Sequence, residues 1–471
     1  MLFNSLTFLV FFAVVYSLYW IVPTWPGKKL LLLGASYCFY AAWSPPYVLL
    51  LLLSTSIDWY LARRIGRSQS VNRRKMLLVL SIACNLAFLG YFKYGDFLQQ
   101  NFSLLLAKFG VVYHAAQSGI ILPVGISFYT FASLSYTIDV YRREIDAGWR
   151  FLDYALFVGF FPHLVAGPIV RASCLLPQLA TPRRATADQI GWGLSMIVIG
   201  LFCKSILADT LFAPVVNRFY ANPDLLSALD AWPAILSFSG QIYYDFSGYS
   251  LCAIGLASMF GFSFPDNFAY PYAARSFSDF WRRWHISLSS WLRDYVYISM
   301  GGNRQSAIRI YLALMATMLI GGLWHGASWM FVLWGAMHGL YLAGERLIRN
   351  TRPQATAAAK TRYGIAELVV FAVVTLTWIP FRATSPANAH AVVASMMRPP
   401  TFLSQFGTQQ ALAMAAIGGT LVWHFCLRDK TLERATAKLG PAWLGATLAV
   451  CLIGIFLFSG GEDHAFLYFQ F

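Results

Sequence analysis

The sequence contains few charged residues, since Asp, Glu, Lys and Arg make up 12% of its 471 residues and 58% are hydrophobic. Ordinary soluble proteins contain about 25% charged residues. A soluble globular domain, a disordered chain and a secreted disulfide scaffold are therefore excluded. The apolar runs are long and continuous rather than alternating, so the chain is predicted to contain many membrane helices and not to form a β-barrel.

The motifs of common soluble enzymes and metal sites are also absent. There is no G-x-S-x-G, H-E-x-x-H, P-loop or G-x-G-x-x-G pattern, which removes support for a serine hydrolase, a zinc protease or a nucleotide-binding domain. The seven cysteines are scattered, with no C-x-x-C pair and no Cys/His pair at metal spacing. We therefore expect no disulfide framework, no bound metal and no bound cofactor.

Positive charge is in excess, with 35 Lys and Arg against 20 Asp and Glu and a net charge of +15. The cations lie in short clusters between apolar runs, which is typical of topology signals and not of nucleic-acid binding. The clusters at 63–75, 142–150 and 346–362 are predicted to face the cytoplasm and the first residues to face outward. The partner implied is a lipid bilayer, with no nucleic acid.

The apolar stretches predict an all-helical, polytopic membrane protein of roughly 11–13 helices. They occupy residues 3–23, 30–43, 47–62, 76–92, 119–140, 152–166, 188–212, 232–262, 308–323, 327–348, 364–381, 410–427 and 442–459. The runs 30–43 and 152–166 are short for a full crossing and predict tilted or re-entrant helices. No repeat, low-complexity tract or long linker interrupts the chain, so residues 1–471 are predicted to form one membrane-embedded domain.

Residues 275–344 contain most of the polar side chains that are costly in a membrane. Read as one helix, the segment from Ser278 places a stripe on one face that consists of Trp281, Trp284, His285, Leu288, Leu292 and Tyr295. The opposite face contains Arg282, Arg283, Ser290 and Arg293, and Asp279 precedes Arg283 at the favourable spacing of four. This predicts an interfacial helix on the cytoplasmic side, with His285 facing inward as either a functional or a packed histidine.

A second histidine follows in the segment Gly321–Trp329, where His325 is flanked by glycines and tryptophans. Glycine permits close approach of backbone or ligand, and a buried neutral imidazole suits a general base. A structural histidine is the alternative. His338 is expected on another helix face. The remaining histidines are expected to be structural or solvated: His114, His163, His390, His424 and His464.

These segments, taken together, resemble the membrane-bound O-acyltransferase (MBOAT) family, and within it the bacterial branch that O-acetylates alginate and cellulose. The matching motifs run in order over nearly the whole chain, at residues 90–94, 122–129, 161–168, 244–250, 279–289, 291–295, 301–304 and 321–326. The resemblance implies re-entrant and interfacial helices around a central tunnel. Through it, an acyl group passes from a cytoplasmic thioester to a hydroxyl acceptor.

By resemblance, His325 is the catalytic residue, and His285 lines the tunnel or supports the reaction. Further residues are expected to line the tunnel or bind substrate, namely Trp324, Trp281, Trp284, Asp279, Arg293, Asn303, Arg304, Tyr244 and Ser328. The donor implied is acetyl-CoA or another acyl thioester. The location implied is the bacterial inner membrane, and the partners are a periplasmic SGNH or esterase-like acetyltransferase and a polysaccharide synthase and export complex.

Two other functions stay open on the residues alone. A transporter or flippase is disfavoured because the spans contain few ionisable residues for a coupling ion and show no repeated halves. A scaffold would recruit the export machinery without chemistry of its own. The polymer can be alginate or cellulose, and the donor can be acetyl-CoA or an acyl carrier protein. The acetyl group can pass directly to the polymer or through a serine of a partner protein.

Overall fold

The computed structural model describes residues 1–113, 119, 121–351, 364–400, 406–436, 440–458 and 466–467. Within these ranges the secondary structure is helical and contains no strand, which confirms the predicted all-helical class. In the described part of the chain, six helices are long and apolar enough to cross a membrane: Val71–Phe92, Ala187–Ala221, Ala307–His325, Ile365–Arg382, Thr408–Leu427 and Gly440–Phe458. The chain is thus a multi-pass membrane protein.

The contacts divide the chain into two compact units. The first comprises Met1–Leu194 and Ala253–Pro265. Its helices are Leu6–Ile21, Trp25–Ala41, Pro46–Arg67, Val71–Phe92, Gly95–Lys108, Ile126–Arg142, Phe151–Gly159, Phe161–Leu164 and Ala172–Ala180. Helices Ala187–Leu201 and Ala228–Met259 contribute residues to both units.

The second unit comprises Ser195–Cys252 and Asp266–Phe471. Its α-helices are Ala213–Ala221, Phe277–Arg283, Ile286–Leu292, Ala307–His325, Trp329–Thr351, Ile365–Arg382, Pro386–Ser395, Thr408–Leu427, Leu432–Thr436 and Gly440–Phe458. Residues Phe202–Phe212 and Arg293–Tyr297 form π-helices, and Pro223–Leu225, Pro271–Ala273 and Gly302–Arg304 form single 3₁₀ turns. The proposed one-domain organisation stays a prediction.

Hydropathy located most of these helices to within a few residues. The predicted stretch 308–323 corresponds to Ala307–His325, and 410–427 corresponds to Thr408–Leu427. The short run 152–166 is split into Phe151–Gly159 and Phe161–Leu164, neither of which is long enough to cross a bilayer. The predicted inner loop at 346–362 lies partly outside the described residues.

The prediction of one continuous helix from Ser278 to Tyr295 is wrong. Helix Phe277–Arg283 ends at Trp284, whose backbone is extended, and helix Ile286–Leu292 begins after His285, which is left-handed at φ 43°. Tertiary hydrogen bonds maintain this break, because the Ala269 N–H donates to the Arg283 carbonyl at 2.9 Å and the Ile286 N–H donates to the Asn267 carbonyl at 2.9 Å. Helical periodicity does not report such partners.

Glycines bring two helices of the second unit together. A Cβ on Gly322 of helix Ala307–His325 would meet the Phe331 carbonyl and lie 3.3 Å from the Gly335 Cα of helix Trp329–Thr351. The two helices are joined by the extended residue Gly326. Ser328 then caps the second helix, since its Oγ accepts the Met330 N–H at 3.2 Å. This tight pair fixes the end of the first helix, where His325 lies.

Candidate active site

A cavity of about 280 Å³ lies in the second unit, beside the break at His285. Its walls come from helices Phe277–Arg283, Ile286–Leu292, Ala307–His325 and Trp329–Thr351. The apolar lining includes Trp281, Leu292 and Met318. The polar lining consists of Ser278, Arg282, Ser289, Ser290, Arg293, Tyr297, Thr317 and His325. An imidazole, several hydroxyls and two guanidinium groups therefore face one largely apolar space.

His325 is the last residue of its helix and is 3% exposed. Its ring packs edge-on against Trp334, with ring centroids 5.0 Å apart, and against Phe381 at 5.2 Å. Edge-to-face contacts of this kind favour particular orientations of a ring. The imidazole is consequently held at the cavity wall in surroundings that exclude most water.

His285 is fully buried, and its surroundings differ from those of His325. Its Nδ1 lies 3.2 Å from the Oδ1 of Asn267, and its ring packs edge-on against Phe246 at 4.5 Å. Among the described residues, those that line the 280 Å³ cavity do not include His285. Both imidazoles were expected to line one tunnel, but of the two only His325 lines this cavity.

Trp324 connects the two histidines. Its indole contacts the His285 ring at 5.6 Å and the His325 ring at 5.0 Å. The two imidazoles therefore belong to one packed aromatic arrangement, although His325 alone of the two lines the cavity described above. Trp281, expected near the wall, does line it and contacts Trp334 at 5.7 Å.

Asp279 is the centre of an ion-pair network. It accepts from Arg283 Nε at 3.0 Å, from Arg428 at 2.7 Å and from the Arg275 backbone N–H at 3.1 Å. Burial alone would raise the pKa of the Asp279 carboxyl, but these donors hold the pKa below its ordinary value. The carboxylate is thus an anchor for helix Phe277–Arg283, and it does not line the cavity.

The other expected site residues are distributed as follows. Arg293 lines the cavity and forms an ion pair with Asp294 at 2.6 Å. Trp284 is packed in the core between Phe280 and Trp378. Four further expected residues lie outside the cavity. Asn303 accepts hydrogen bonds from Tyr297 and Arg346, and Arg304 is exposed. Tyr244 forms a hydrogen bond with Thr420 at 2.8 Å, and Ser328 caps a helix.

Sequence reasoning missed two residues around the histidines. Trp334 lines the cavity and contacts both His325 and, at 4.8 Å, His338. Its spacing of four from His338 on one helix would have indicated that those two side chains are in contact. Asn267 contacts His285, and no signal in the sequence indicates it, because the two residues are 18 positions apart and separated by a helix break.

Comparison with known proteins identifies the family of the chain. The family profile of MBOAT, the membrane-bound O-acyltransferase family, matches residues 8–384. A probable alginate O-acetylase from Azotobacter vinelandii is 43% identical over 84% of this chain and 78% of its own length, and one from Pseudomonas putida is 37% identical over the whole of both chains. A peptidoglycan O-acetyltransferase from Helicobacter pylori is 33% identical over 95% of this chain and 92% of its own.

The chain therefore belongs to the membrane-bound O-acyltransferase family, as its motifs predicted. It is an acyltransferase, and its relatives include alginate and peptidoglycan O-acetyltransferases. The family implies an acyl donor.

Proposed function

We propose that this protein moves an acetyl group from a cytoplasmic thioester across the bacterial inner membrane for O-acetylation of an exopolysaccharide of the alginate or cellulose type. In this proposal residues 1–471 act as one membrane-embedded domain. The observation that supports it best is the position of His325, whose imidazole lies at the wall of a 280 Å³ cavity. The names of the alginate relatives point to a polysaccharide acceptor.

The proposed chemistry needs one proton acceptor. The His325 imidazole takes the proton of an acceptor hydroxyl while the oxygen attacks the thioester carbonyl carbon and forms a tetrahedral oxyanion. The carbon–sulfur bond then breaks, and the thiolate leaves with the proton from the imidazolium. A positioned histidine base contributes about 10²- to 10⁴-fold, and the dry aromatic surroundings protect the thioester from water.

The charge around the cavity suits a phosphate-bearing donor. Arg282 and Arg293 line it, and their side chains are 70% and 62% exposed. Guanidinium groups are good phosphate ligands, which favours acetyl-CoA or a phosphopantetheine thioester on a carrier protein. We assign His285 a supporting role through Trp324. A periplasmic SGNH or esterase-like acetyltransferase, together with a polysaccharide synthase and export complex, completes delivery.

The test compares the unchanged chain with His325→Ala in membranes of polymer-producing cells. Inverted vesicles expose the cytoplasmic face, so [¹⁴C]acetyl-CoA added outside should label alkali-labile esters of the polymer, and right-side-out vesicles should not. We expect His325→Ala to lose about 10²- to 10⁴-fold of this label, equivalent to about 3–5 kcal/mol in the barrier. Labelling that persists in His325→Ala at a normal membrane level would overturn the assignment of the base.

The control is His390→Ala, because His390 is exposed on helix Pro386–Ser395. It should stay within about twofold of the unchanged chain, as a surface substitution away from the site usually does. A flippase or scaffold would retain export and acetylation in His325→Ala, so the same pair of variants separates the enzyme from these two alternatives. His114 and His464, expected to be near neutral, lie outside the described residues.

A further inference from the structure

Asn267 is almost fully buried beside His285 and forms a dense set of hydrogen bonds there. The residue is 1% exposed. Its Oδ1 accepts the Ser287 N–H at 3.2 Å and the Ser287 hydroxyl at 2.8 Å, and it lies 3.2 Å from His285 Nδ1. Its Nδ2 donates to the Ser250 hydroxyl at 3.0 Å.

These contacts determine the orientation of the amide. A backbone N–H can only donate, so the atom facing Ser287 must be the oxygen of Asn267 and not its nitrogen. An amide oxygen can only accept. The Ser287 hydroxyl also lies 3.4 Å from His285 Nδ1, but it donates its proton to Asn267 Oδ1 at 2.8 Å and can offer Nδ1 only its oxygen. Since both neighbours of Nδ1 are acceptors, Nδ1 has the proton and donates it, which leaves Nε2 of the neutral ring with the lone pair.

The backbone at His285 is held in place as well as the side chain. His285 has a left-handed conformation at φ 43°, which is costly for a residue with a Cβ. The Ile286 N–H donates to the Asn267 carbonyl at 2.9 Å, so Asn267 holds both the main chain and the ring of the same short segment. Phe246 and Trp324 pack on the imidazole and restrict its remaining rotation.

We propose that Asn267 is a positioning residue for the acyl transfer, which fixes the His285 imidazole as the tautomer with the proton on Nδ1 and the lone pair on Nε2. Within the part of the chain that the structure describes, Nε2 is buried and has no hydrogen-bond partner. It can accept a hydrogen bond from a substrate hydroxyl or amide N–H. This inference rests on the supporting role proposed for His285.

Few charged groups come near this ring in the described residues. Asp245, which precedes Phe246, pairs with Lys204, and His325 contacts the same indole as His285. A carboxylate introduced in place of the Asn267 amide would thus be the nearest negative charge to His285. It would favour the protonated imidazole, which has no lone pair on Nε2, and activity would then require a higher pH.

The experiment measures acetyl transfer from [¹⁴C]acetyl-CoA in inverted vesicles as a function of pH. Asn267→Leu removes the acceptor, and we expect it to lower kcat by about 10- to 100-fold, by analogy with the loss of residues that orient metal-ligating histidines. Asn267→Asp keeps an acceptor at Nδ1, so we expect partial rescue with the acid limb of the pH profile moved to higher pH. If both variants lose activity equally with an unchanged pH profile, the inference is wrong.

Two further variants make the test independent of folding and of the proposed function. Asn85→Leu removes an equally buried asparagine that donates to Asp58, so it should lower stability but leave activity per folded molecule near normal. In a His285→Ala background, Asn267→Leu should add no further loss. If His285→Ala is itself fully active, the supporting role of His285 fails; if His285→Ala is impaired and Asn267→Leu is not, this inference alone fails.

Discussion

The His325 imidazole stands edge-on to the Trp334 indole, with the ring centroids 5.0 Å apart and the ring planes at 87°. Both side chains line the cavity, although they belong to different helices joined by the Gly326–Ser328 connection. The indole also contacts His338 at 4.8 Å and Trp281 at 5.7 Å. Trp334 is therefore the side chain through which the core of the second unit fixes the orientation of the candidate base.

Trp334→Phe tests this role. The smaller ring should leave the imidazole of His325 free to shift, and a misplacement of about 1 Å can cost about 10²-fold in rate. We expect acetyl transfer to fall about 10- to 100-fold and thermal stability to fall moderately. The control is Trp378→Phe, which changes an equally buried indole, 5.8 Å from Trp334, that does not line the cavity. Equal losses of activity in both variants would contradict the role of Trp334.

Composition and hydropathy predicted the helical class and most helix positions because a bilayer requires long apolar segments, and such segments are visible in any sequence. The glycines beside His325 indicated a close backbone approach, and Gly322 makes one with Phe331 and Gly335. The break at His285 was not predictable, because the hydrogen bonds that maintain it come from Asn267 and Ala269, on a separate segment. Local periodicity describes a helix only where no distant partner competes for its backbone.

The sequence indicates the region in which the site residues lie better than it indicates what each of them contacts. Trp281, Arg293 and His325 line the cavity, and their roles in the reaction stay a prediction. Asp279 instead anchors three arginines, and Ser328 caps a helix. A polar residue in a membrane protein has either a functional or a structural partner, and the sequence shows the residue without showing the partner.

The helix pair that presents His325 should respond differently to two Gly→Ala changes. A Cβ at Gly322 would press on the Phe331 carbonyl, so Gly322→Ala should destabilise the protein by about 1–3 kcal/mol through overpacking. A Cβ at Gly344, in helix Trp329–Thr351, meets no atom within 4 Å. Gly344→Ala should be neutral or stabilising by up to about 1 kcal/mol. Thermal unfolding in detergent measures both, and similar effects at the two sites would contradict close helix contact as the reason for Gly322.

The predicted topology places the segment 63–75 in the cytoplasm because it contains six cations, which lie at the adjoining ends of helices Pro46–Arg67 and Val71–Phe92. Gln69 is exposed in that segment. We expect a Gln69→Cys variant to react with a membrane-impermeant maleimide in inverted vesicles but not in intact spheroplasts, after subtraction of the labelling of the unchanged chain. The reverse pattern would invert the topology and with it the proposed cytoplasmic donor side.

Asp279 should stabilise the protein in a pH-dependent way. Replacing it by Asn leaves Arg283 and Arg428, whose side chains are 15% and 12% exposed, without their carboxylate, and we expect a loss of about 3 kcal/mol at neutral pH. Since the pKa of Asp279 is lower in the folded protein than its unfolded value of about 4, its contribution is present above about pH 4 and is lost as the pH falls through the folded value. The stability difference between the unchanged chain and Asp279→Asn should therefore be constant from about pH 8 to pH 5 and shrink below about pH 4. Asp294→Asn is the control, because Arg293 is 62% exposed and a surface pair contributes at most about 1 kcal/mol. The anchoring role would be contradicted if Asp279→Asn lost no more stability than Asp294→Asn, or if its loss of stability grew on acidification.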